Sequence, residues 1–514
     1  MRPRPLHVLF TLACALLLFG YWAWLGRAHS LADAGERLQC VSYSPFARGQ
    51  SPFDRPLRLD TAQLDADLAL LARRFSCVRL YSMTGLQDIP GLARRHGLQV
   101  ILGAWVNADP VDTETEIRLL IETAQAHPDV VRSVMVGNEA LLRREVTATR
   151  LAQLIERVRA QVPQPVSYAD VWEFWLRHPE IAPAVDFITV HLLPYWEDRP
   201  SGIDTALAEA SRVHGEFTRR FAPKPILIGE TGWPSQGRQR EAALPSPLNQ
   251  ARFIRGFVRE AHAHGWRYNL IEAFDQPWKR RNEGTVGGHW GLYDAERNDK
   301  GALRGPVSNL PDWPRWLLLS LCVYAAALWL AGRGAVAWLA PLAALAAGCL
   351  AHQAQQLGLV SRGPLEWLWG IVLMGLNLLV LIHAALLAGC SGGWRSRGRR
   401  WFNARAGILL LIGGFAGAVV MLGLVVDARY RGFPWHALLF PAVFFLLRTP
   451  PVASREGLLL AGVLAAGIAP QLWQEGLGNG QALAWALTCV LLSAALLRGA
   501  RRTPVAPAWL WSPS

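Results

Sequence analysis

Hydrophobic and polar positions divide this chain into two long regions and a short N-terminal segment. Residues 28–313 alternate short β-rich runs with amphipathic helical stretches, which is the pattern of a globular domain. Residues 315–498 form a near-continuous series of apolar runs rich in Leu, Ala, Gly and Trp. The N-terminal segment, residues 1–27, is apolar from about Val8 to Leu25. We therefore expect three parts, of which the last is an all-α membrane region over residues 314–514.

The N-terminal segment is close to the length that crosses a bilayer. It follows Arg2 and Arg4 and ends in Tyr21, Trp22 and Trp24, an aromatic cluster of the kind found at the membrane–water interface. Because no small-x-small cleavage site follows, we expect an uncleaved anchor. A cleaved signal peptide is the alternative.

Seven apolar runs in the C-terminal region have the composition of transmembrane helices. They lie near residues 315–332, 334–351, 366–389, 406–426, 433–448, 456–473 and 481–498. With the anchor these make eight spans, and the basic segments 390–405, 448–455 and 498–502 then fall on one side, which the positive-inside rule makes cytoplasmic. The loop 427–432 is the exception. We expect both termini, including a short C-terminal tail, on the cytoplasmic side and residues 28–313 on the other.

The net charge of +13 does not by itself indicate nucleic acid. The sharpest basic cluster lies between two apolar runs, and no groove-reading or base-stacking motif accompanies it. We therefore expect the lipid bilayer and no nucleic acid as a partner. The sequence does not indicate a protein partner.

The globular region repeats a β-run and a helical stretch eight times, which is typical of a TIM (β/α)8 barrel. The predicted strands are Gln39–Tyr43, Cys77–Tyr81, Gln99–Trp105, Val131–Gly137, Pro165–Ala169, Phe187–His191, Pro225–Gly229 and Asn269–Phe274. In this fold the active site lies at the C-terminal ends of the strands. The residues at or after those ends are rich in carboxylates and aromatic rings: Tyr81, Trp105, Asn138, Glu139, His191, Tyr195, Glu230, Glu272 and Asp275.

Two of these carboxylates have the placement that glycoside chemistry needs. Glu139 ends the fourth strand and Glu230 ends the seventh, and these strands face each other across a barrel mouth. Retaining glycosidases use two carboxyl groups about 5–5.5 Å apart on either side of one glycosidic bond. Glu139 and Glu230 are therefore the predicted catalytic pair.

The motifs around this pair resemble those of glycoside hydrolase family 17, the β-1,3-glucanase and β-glucan transglycosylase family. They are Val136-Gly-Asn-Glu139, Gly229-Glu-Thr-Gly-Trp-Pro-Ser235, Glu272-Ala-Phe-Asp-Gln-Pro-Trp-Lys279 and His289-Trp-Gly-Leu-Tyr293. The resemblance covers about residues 38–296 and implies that Glu139 is the acid/base and Glu230 the nucleophile. It departs from the family at Gln276, where an acidic residue is often found.

The remaining site residues are expected to bind substrate. Asn138 is suited to the sugar 2-hydroxyl, and either Tyr195 or Tyr81 would orient Glu230. Acid catalysis further requires a raised pKa at Glu139.

Two further groups flank the motifs. Glu272, Asp275, Lys279 and Glu283 resemble the family's further polar cluster, with structural ion pairing as the alternative for each. Trp233, Trp278 and Trp290 are predicted stacking platforms for sugar rings, with simple packing as the alternative.

We expect this chemistry to need no cofactor and no metal. The globular region contains Cys40 and Cys77. An oxidising exterior permits a disulfide between them, and a buried free thiol in each strand is the alternative.

The resemblance implies β-glucan as the substrate and leaves the acceptor open. Transfer to a second glucan would elongate or branch chains through β-1,3 or β-1,6 links, whereas transfer to water would make an endo-1,3-β-glucanase. Multi-span bacterial members, of the β-(1-6) glucan synthase type, look like the first kind, which implies a bacterial inner membrane with the barrel in the periplasm. A non-catalytic glucan-binding sensor is the weaker alternative.

Overall fold

The computed structural model describes residues 5–332, 336–389 and 393–502. By their internal contacts the residues form two units, of which one comprises 29–236 and 242–307 and the other comprises 1–28, 237–241 and 308–514. Some predicted features lie outside the described residues, namely Arg2, Arg4, residues 390–392 of the basic loop and the tail after residue 502.

The first unit is built on eight parallel strands that close into a barrel in sequence order, which confirms the predicted TIM architecture. The strands are β1 (Leu38–Ser42), β2 (Phe75–Arg79), β3 (Gln99–Ala104), β4 (Val131–Asn138), β5 (Val166–Val171), β6 (Ile188–Leu192), β7 (Ile226–Thr231) and β8 (Arg267–Leu270). A separate two-stranded sheet pairs Ala28–His29 with Val307–Ser308.

Helices are numbered along the whole chain. They are α1 (Pro5–Leu25), α2 (Thr61–Ala72), α3 (Ile89–Arg95), α4 (Pro110–Ala126), α5 (Ala148–Arg159), α6 (Trp172–Arg177), α7 (Ala206–Arg220), α8 (Pro247–His264), α9 (Arg280–Gly287), α10 (Trp313–Ala331), α11 (Val336–Val360), α12 (Pro364–Ala388), α13 (Gly393–Val426), α14 (Trp435–Leu447), α15 (Ser454–Glu475) and α16 (Gly480–Arg501). Short 3-10 helices cover Pro179–Ala184 and Pro277–Lys279.

Local sequence signals set the ends of the barrel helices. The side chains of Asp60, Asp109, Thr147 and Ser246 accept hydrogen bonds from backbone N–H groups in the first turns of α2, α4, α5 and α8. Each satisfies a donor that the helix itself leaves unpaired. Helix α8 ends at Gly265, whose φ of 65° is a left-handed conformation that glycine adopts without strain.

The barrel interior is filled by side chains, as expected for this fold. One buried cluster comprises Cys40, Cys77, Ile101, Met135, Phe187 and Leu227. Cys40 and Cys77 lie opposite each other in the β1–β2 register and are joined by a disulfide. The structure therefore resolves the two alternatives left by the sequence in favour of the bond.

The strand ends differ from the predicted ones by one to four residues, and two of these differences bear on the site. Strand β7 continues to Thr231, so Glu230 lies within the ladder rather than after it, and its register partner is His191 on β6. Strand β8 ends at Leu270, four residues early. After Leu270 the backbone pairs with a different segment of the chain. The backbone carbonyls of Glu272 and Ala273 accept hydrogen bonds from the N–H groups of Leu292 and Tyr293.

The described part of the second unit is built from helices joined by loops. Six of its helices are long and apolar enough to cross a membrane, and Trp435–Leu447 is a shorter apolar helix. The long ones are His7–Leu25, Trp313–Ala331, Pro364–Ala388, Gly393–Val426, Ser454–Glu475 and Gly480–Arg501. These helices agree with the predicted membrane region as candidate spans, while the crossing of a membrane, the span count of eight and the orientation stay predictions.

Candidate active site

The two predicted catalytic carboxylates lie close together at the C-terminal end of the barrel. Glu139 directly follows β4 and Glu230 is the penultimate residue of β7. A carboxylate oxygen of each, together with a ring nitrogen of His191, lies within 4.8 Å of the others. The backbone of Glu139 has a φ of 52°, a left-handed conformation that is uncommon outside glycine and is often found where function fixes a side chain.

His191 lies between the two carboxylates. Its Nδ1 is 3.0 Å from Oε1 of Glu139, and its Nε2 is 3.6 Å from Oε1 of Glu230. The imidazole side chain is fully buried. The strand pattern marked His191 as a strand-end residue without giving it a role, since its contact with Glu139 depends on how the barrel closes.

Arg79 supplies the positive charge beside Glu230. Its Nη1 is 3.5 Å from Oε1 of Glu230 and donates to the carbonyl of Gly229 at 2.7 Å. Its Nη2 donates to Oδ1 of Asn138 at 2.7 Å. Arg79 is 1% exposed. It was not predicted as a site residue, although an arginine within an apolar strand is a signal, because a buried charge requires a partner.

Asn138 is oriented so that its amide nitrogen can donate a hydrogen bond to a ligand. Its Oδ1 is occupied by Arg79, and the residue is 7% exposed. The orientation is therefore fixed by the arginine, and the nitrogen is the group that could donate to a sugar hydroxyl.

The environment of Glu139 does not have the electrostatics that we expected. Burial raises the pKa of Glu139, but the hydrogen bond and charge of His191, with the charges of Arg143 and Arg79, outweigh it and leave the pKa below the usual glutamate value. The expectation of a raised pKa at Glu139 is therefore wrong for this structure. The physical reason is the number of cationic groups that surround this carboxylate.

The carboxyl groups with raised pKa values are neighbours of Glu139. Burial raises the pKa of Glu272 to about 7, against the lowering effect of Lys279, whose Nζ is 2.7 Å from Oε2 of Glu272. Burial also raises the pKa of Glu283, and the charges of Glu139 and Glu230 add to the effect. The predicted polar cluster is thus electrostatically linked to the catalytic pair.

Asp275 is satisfied by the protein itself. Lys300 contacts its Oδ1 at 2.8 Å, the backbone N–H of Gly291 donates to the same oxygen at 2.8 Å, and His289 lies 3.5 Å from Oδ2. Of the two roles that the sequence left open, the structure favours structural ion pairing.

The two tyrosines differ in their relation to Glu230. The Tyr81 hydroxyl lies 2.6 Å from Oγ of Ser42, and Arg79 stacks 4.6 Å from its ring centroid. Burial and the negative charge of Glu230 raise the pKa of Tyr81. Tyr195 is 1% exposed and packs on Trp233 and Trp290. Tyr81 therefore lies within the electrostatic influence of Glu230, and which tyrosine orients Glu230 stays a prediction.

The three predicted stacking tryptophans have different exposures. Trp233 is 0% exposed and donates its indole N–H to the carbonyl of Leu244, and Trp290 is 2% exposed. Both rings lie in the core, so the stacking prediction is corrected to packing for these two. Trp278 is partly exposed, donates its indole N–H to Gln276 and packs edge-on against Phe53. Phe46 also packs at a right angle to the Trp278 ring, and Nζ of Lys279 lies 5.8 Å from its centroid, so a stacking role for Trp278 stays a prediction.

Two further carboxyl groups were not predicted. Asp170 is buried in β5, accepts a hydrogen bond from Tyr168, and has a pKa that burial raises to about 6. Glu197 accepts a hydrogen bond from the indole N–H of Trp172 at 2.9 Å, and burial raises its pKa to about 7. No motif of ours included either residue. Asp170 could have been found as an acid in an otherwise apolar strand.

Comparisons with known proteins agree with this geometry. Residues 40–291 match the family described as the BtgE/BtgC glycoside hydrolase domain. A glucan 1,3-β-glucosidase of Saccharomyces cerevisiae is 25% identical over 268 residues, which are 47% of this chain and 85% of that protein. A glucan 1,3-β-glucosidase of Arthroderma benhamiae is 28% identical over 260 residues, with 47% and 84% covered.

Among solved structures, the crystal structure of a glycoside hydrolase family 17 β-1,3-glucanosyltransferase from Rhizomucor miehei is similar. It is 23% identical, covers 52% of this chain and 96% of its own, and has a TM-score of 0.46. The family match and the curated relatives confirm the prediction of a glycoside hydrolase similar to glucan 1,3-β-glucosidases, and the barrel is a glycosidase domain.

Proposed function

We propose that residues 40–291, a glycoside hydrolase domain of the BtgE/BtgC family, cleave and re-form β-1,3-glucan links with retention of configuration. The observation that carries the proposal is the pair of carboxylate oxygens of Glu139 and Glu230 within 4.8 Å of each other. Retaining enzymes place their two carboxyl groups about 5–5.5 Å apart, whereas inverting enzymes need about 6.5–9.5 Å to admit a water molecule. The names of the relatives, glucan 1,3-β-glucosidases, support β-1,3-glucan as the substrate.

In the first step, a carboxylate oxygen of Glu230 attacks the anomeric carbon. The bond from that carbon to the glycosidic oxygen breaks, and the leaving oxygen takes the proton of Glu139. Arg79, 3.5 Å from Oε1 of Glu230, places a positive charge beside the attacking carboxylate. Asn138, oriented by Arg79, donates its amide N–H to the sugar 2-hydroxyl.

In the second step, an acceptor hydroxyl attacks the same carbon and expels the Glu230 carboxylate. Glu139 takes the proton of that hydroxyl, and the depressed pKa of Glu139 suits this half of the cycle because it favours the ionised base. A water acceptor gives hydrolysis, and a glucan hydroxyl gives transfer.

We propose transfer as the main outcome, with elongation or branching of glucan through β-1,3 or β-1,6 links. In the chain, the barrel is joined to helices long enough to cross a membrane. Remodelling of a glucan at the membrane suits such an anchored domain better than digestion does. Hydrolysis by an endo-1,3-β-glucanase is the second candidate.

We also propose the cellular arrangement. The barrel, predicted as residues 28–313, lies on the periplasmic side of a bacterial inner membrane, with the anchor at residues 1–27 and the spans within residues 314–514. The basic segments between apolar runs support this orientation. A reporter active only in the periplasm should be silent when inserted after residue 397, and strong activity there would invert the arrangement.

Azide rescue tests the two roles. With an activated aryl β-laminaribioside and azide, Glu230→Ala should yield an α-glycosyl azide, because azide then attacks from the face that the nucleophile occupied. Glu139→Ala should yield a β-glycosyl azide, formed from the covalent intermediate. The opposite stereochemistry would exchange the roles, and no rescue of either variant would remove the retaining mechanism.

Product analysis separates transfer from hydrolysis. The full-length enzyme is incubated with laminari-oligosaccharides over a range of concentrations, and products are analysed for length by mass spectrometry and for linkage by NMR. Longer or branched products that increase with concentration support transfer. Shortened chains alone would leave hydrolysis, and binding without any turnover would leave the glucan sensor.

A further inference from the structure

A buried nitrogen of His191 faces a carboxylate without a hydrogen bond. Nδ1 lies 3.0 Å from Oε1 of Glu139, and because an ionised carboxylate only accepts, Nδ1 carries the proton and donates. When the imidazole is neutral, Nε2 presents a lone pair. It makes no hydrogen bond, is buried and lies 3.6 Å from Oε1 of Glu230.

Two acceptors that face each other away from water repel unless a cation lies between them. A proton on Nε2 is one such cation, but 3.6 Å is longer than a normal hydrogen bond. The same distance suits a metal ion, because two ligand atoms that each lie ~2.0–2.2 Å from one ion in tetrahedral coordination are separated by roughly 3.4–3.6 Å.

The rest of the cluster matches how proteins support a metal-binding histidine. Such a histidine commonly donates its other ring N–H to a carboxylate, which fixes the tautomer and increases the basicity of the ligand nitrogen. Glu139 occupies this position toward Nδ1 of His191. An oxygen of Glu139 also lies within 4.8 Å of the other two groups.

We infer that Nε2 of His191 and the carboxylate of Glu230, supported by Glu139, form an inhibitory binding site for a transition metal ion such as Zn²⁺. Metal binding rests on this geometry alone, whereas the inhibition rests on the proposed function. An ion held on Oε1 of Glu230 blocks the oxygen that attacks the anomeric carbon. Inhibition is therefore competitive with glucan.

The ligand set also sets the selectivity. One imidazole with carboxylate oxygens favours Zn²⁺, Cu²⁺ and Ni²⁺, whereas Mg²⁺ and Ca²⁺ prefer oxygen ligands alone. Arg79, 3.5 Å from Oε1 of Glu230, repels a cation and keeps the affinity below that of a dedicated site. The site is thus reversible and is emptied by a chelator.

Calorimetric titration of the tag-free, full-length protein with ZnCl2 at pH 7.5 tests the inference. We expect one Zn²⁺ per chain, no heat from MgCl2, and an affinity that falls at least tenfold in His191→Gln and in Glu230→Gln. The matched control is His178→Gln, since His178 makes the same Nδ1–carboxylate contact, 3.0 Å to Glu180, on the protein surface. That variant should bind like the wild type.

A second measurement needs no variant and so does not depend on how the variants fold. Laminari-oligosaccharide should weaken Zn²⁺ binding to the wild-type protein, and EDTA should restore turnover that Zn²⁺ has inhibited. Unchanged Zn²⁺ affinity in folded His191→Gln, or Zn²⁺ binding that oligosaccharide does not affect, would overturn the site. If Zn²⁺ binds as stated but no glucan is processed, the site stands and the proposed function fails. If glucan is processed but no Zn²⁺ binds, the proposed function stands and the metal site fails.

Discussion

The centre of the barrel and the interior of the helical unit both bury polar side chains, but the two sets of side chains differ in charge. In the barrel, Arg79, His191 and Glu230 lie together, and buried nitrogens of Arg79 and His191 lack hydrogen bonds. In the helical unit, most of the buried polar side chains among the described residues are neutral. Asn377, for example, donates to Gln353 at 3.0 Å and to the carbonyl of Ala437 at 2.7 Å.

The helical unit also contains one buried carboxylate among its described residues, Glu475, and that group is fully engaged. Arg238 donates to its Oε1, and Asn479 donates to its Oε2 at 2.7 Å. Both regions thus obey the rule that a buried charge needs a partner. The difference is that the centre of the barrel gathers several charged side chains around Glu139 and Glu230, whereas the helical unit buries mainly neutral ones. The candidate site is therefore distinguished by its cluster of buried charges, since buried polar atoms without a hydrogen bond occur in both units.

Glu230→Gln is expected to have the largest effect. We expect turnover of laminari-oligosaccharides to fall about 10,000-fold or more, because the amide cannot form the covalent intermediate. The fold should persist, since Gln still accepts from the neighbouring donors. Turnover and circular dichroism are measured together, and a folded variant with substantial turnover would remove Glu230 as the nucleophile.

Glu475→Gln is the matching change in the helical unit, with the opposite outcome. It leaves the buried Arg238 without its ionised partner, which should cost about 3–5 kcal/mol of stability. Turnover per folded molecule should stay within about twofold. Thermal unfolding in detergent measures the first quantity and initial rates measure the second.

The double variant Glu475→Gln with Arg238→Gln is the control for that prediction. If the pair acts as described, the double variant should be less destabilised than the sum of the single variants. Additive losses would mean that the two residues do not interact, and would weaken the contrast with the barrel.

Removal of the barrel disulfide should be the next largest effect. Cys40 and Cys77 are 37 residues apart, and in the chain-entropy picture a loop of that length stabilises by about 4 kcal/mol. We expect Cys40→Ala with Cys77→Ala to lose a large part of this value, measured by hydrogen exchange of the barrel strands in denaturant. Cys322→Ala, which removes an exposed free thiol of the helical unit, is the control and should change stability by less than about 0.5 kcal/mol.

The smallest expected effect is a shift in the pH dependence of kcat/KM in His191→Gln. His191 lowers the pKa of Glu139 through its hydrogen bond and charge, so His191→Gln should raise that pKa. Because catalysis needs Glu139 protonated in the first step, the alkaline limb of kcat/KM should move to higher pH. The pH profile of kcat/KM is compared with that of His178→Gln, and an unchanged or acid-shifted limb would contradict the electrostatic assignment.

The fold and the proximity of Glu139 and Glu230 could be predicted because their signals are local. The alternation of strands and helices identified the barrel, and the motifs at Glu139 and Glu230 lie within single strand ends. The roles of Trp233 and Trp290 could not be predicted, since a loop sequence does not determine whether a ring faces solvent or packs on Tyr195. Predicted strand ends were also wrong where backbone groups, such as that of Ala273, bond to a distant segment.

By itself, the sequence determined which side chains reach the mouth of the barrel, because strand periodicity and short motifs act over a few residues. Only the tertiary structure decided how those side chains share charge. His191 contacts Glu139, 52 positions away, and Arg79 contacts Glu230 across the closed sheet. Such contacts depend on the register and closure of all eight strands. The pKa of Glu139 follows from them, which is why its direction could not be predicted from the motif alone.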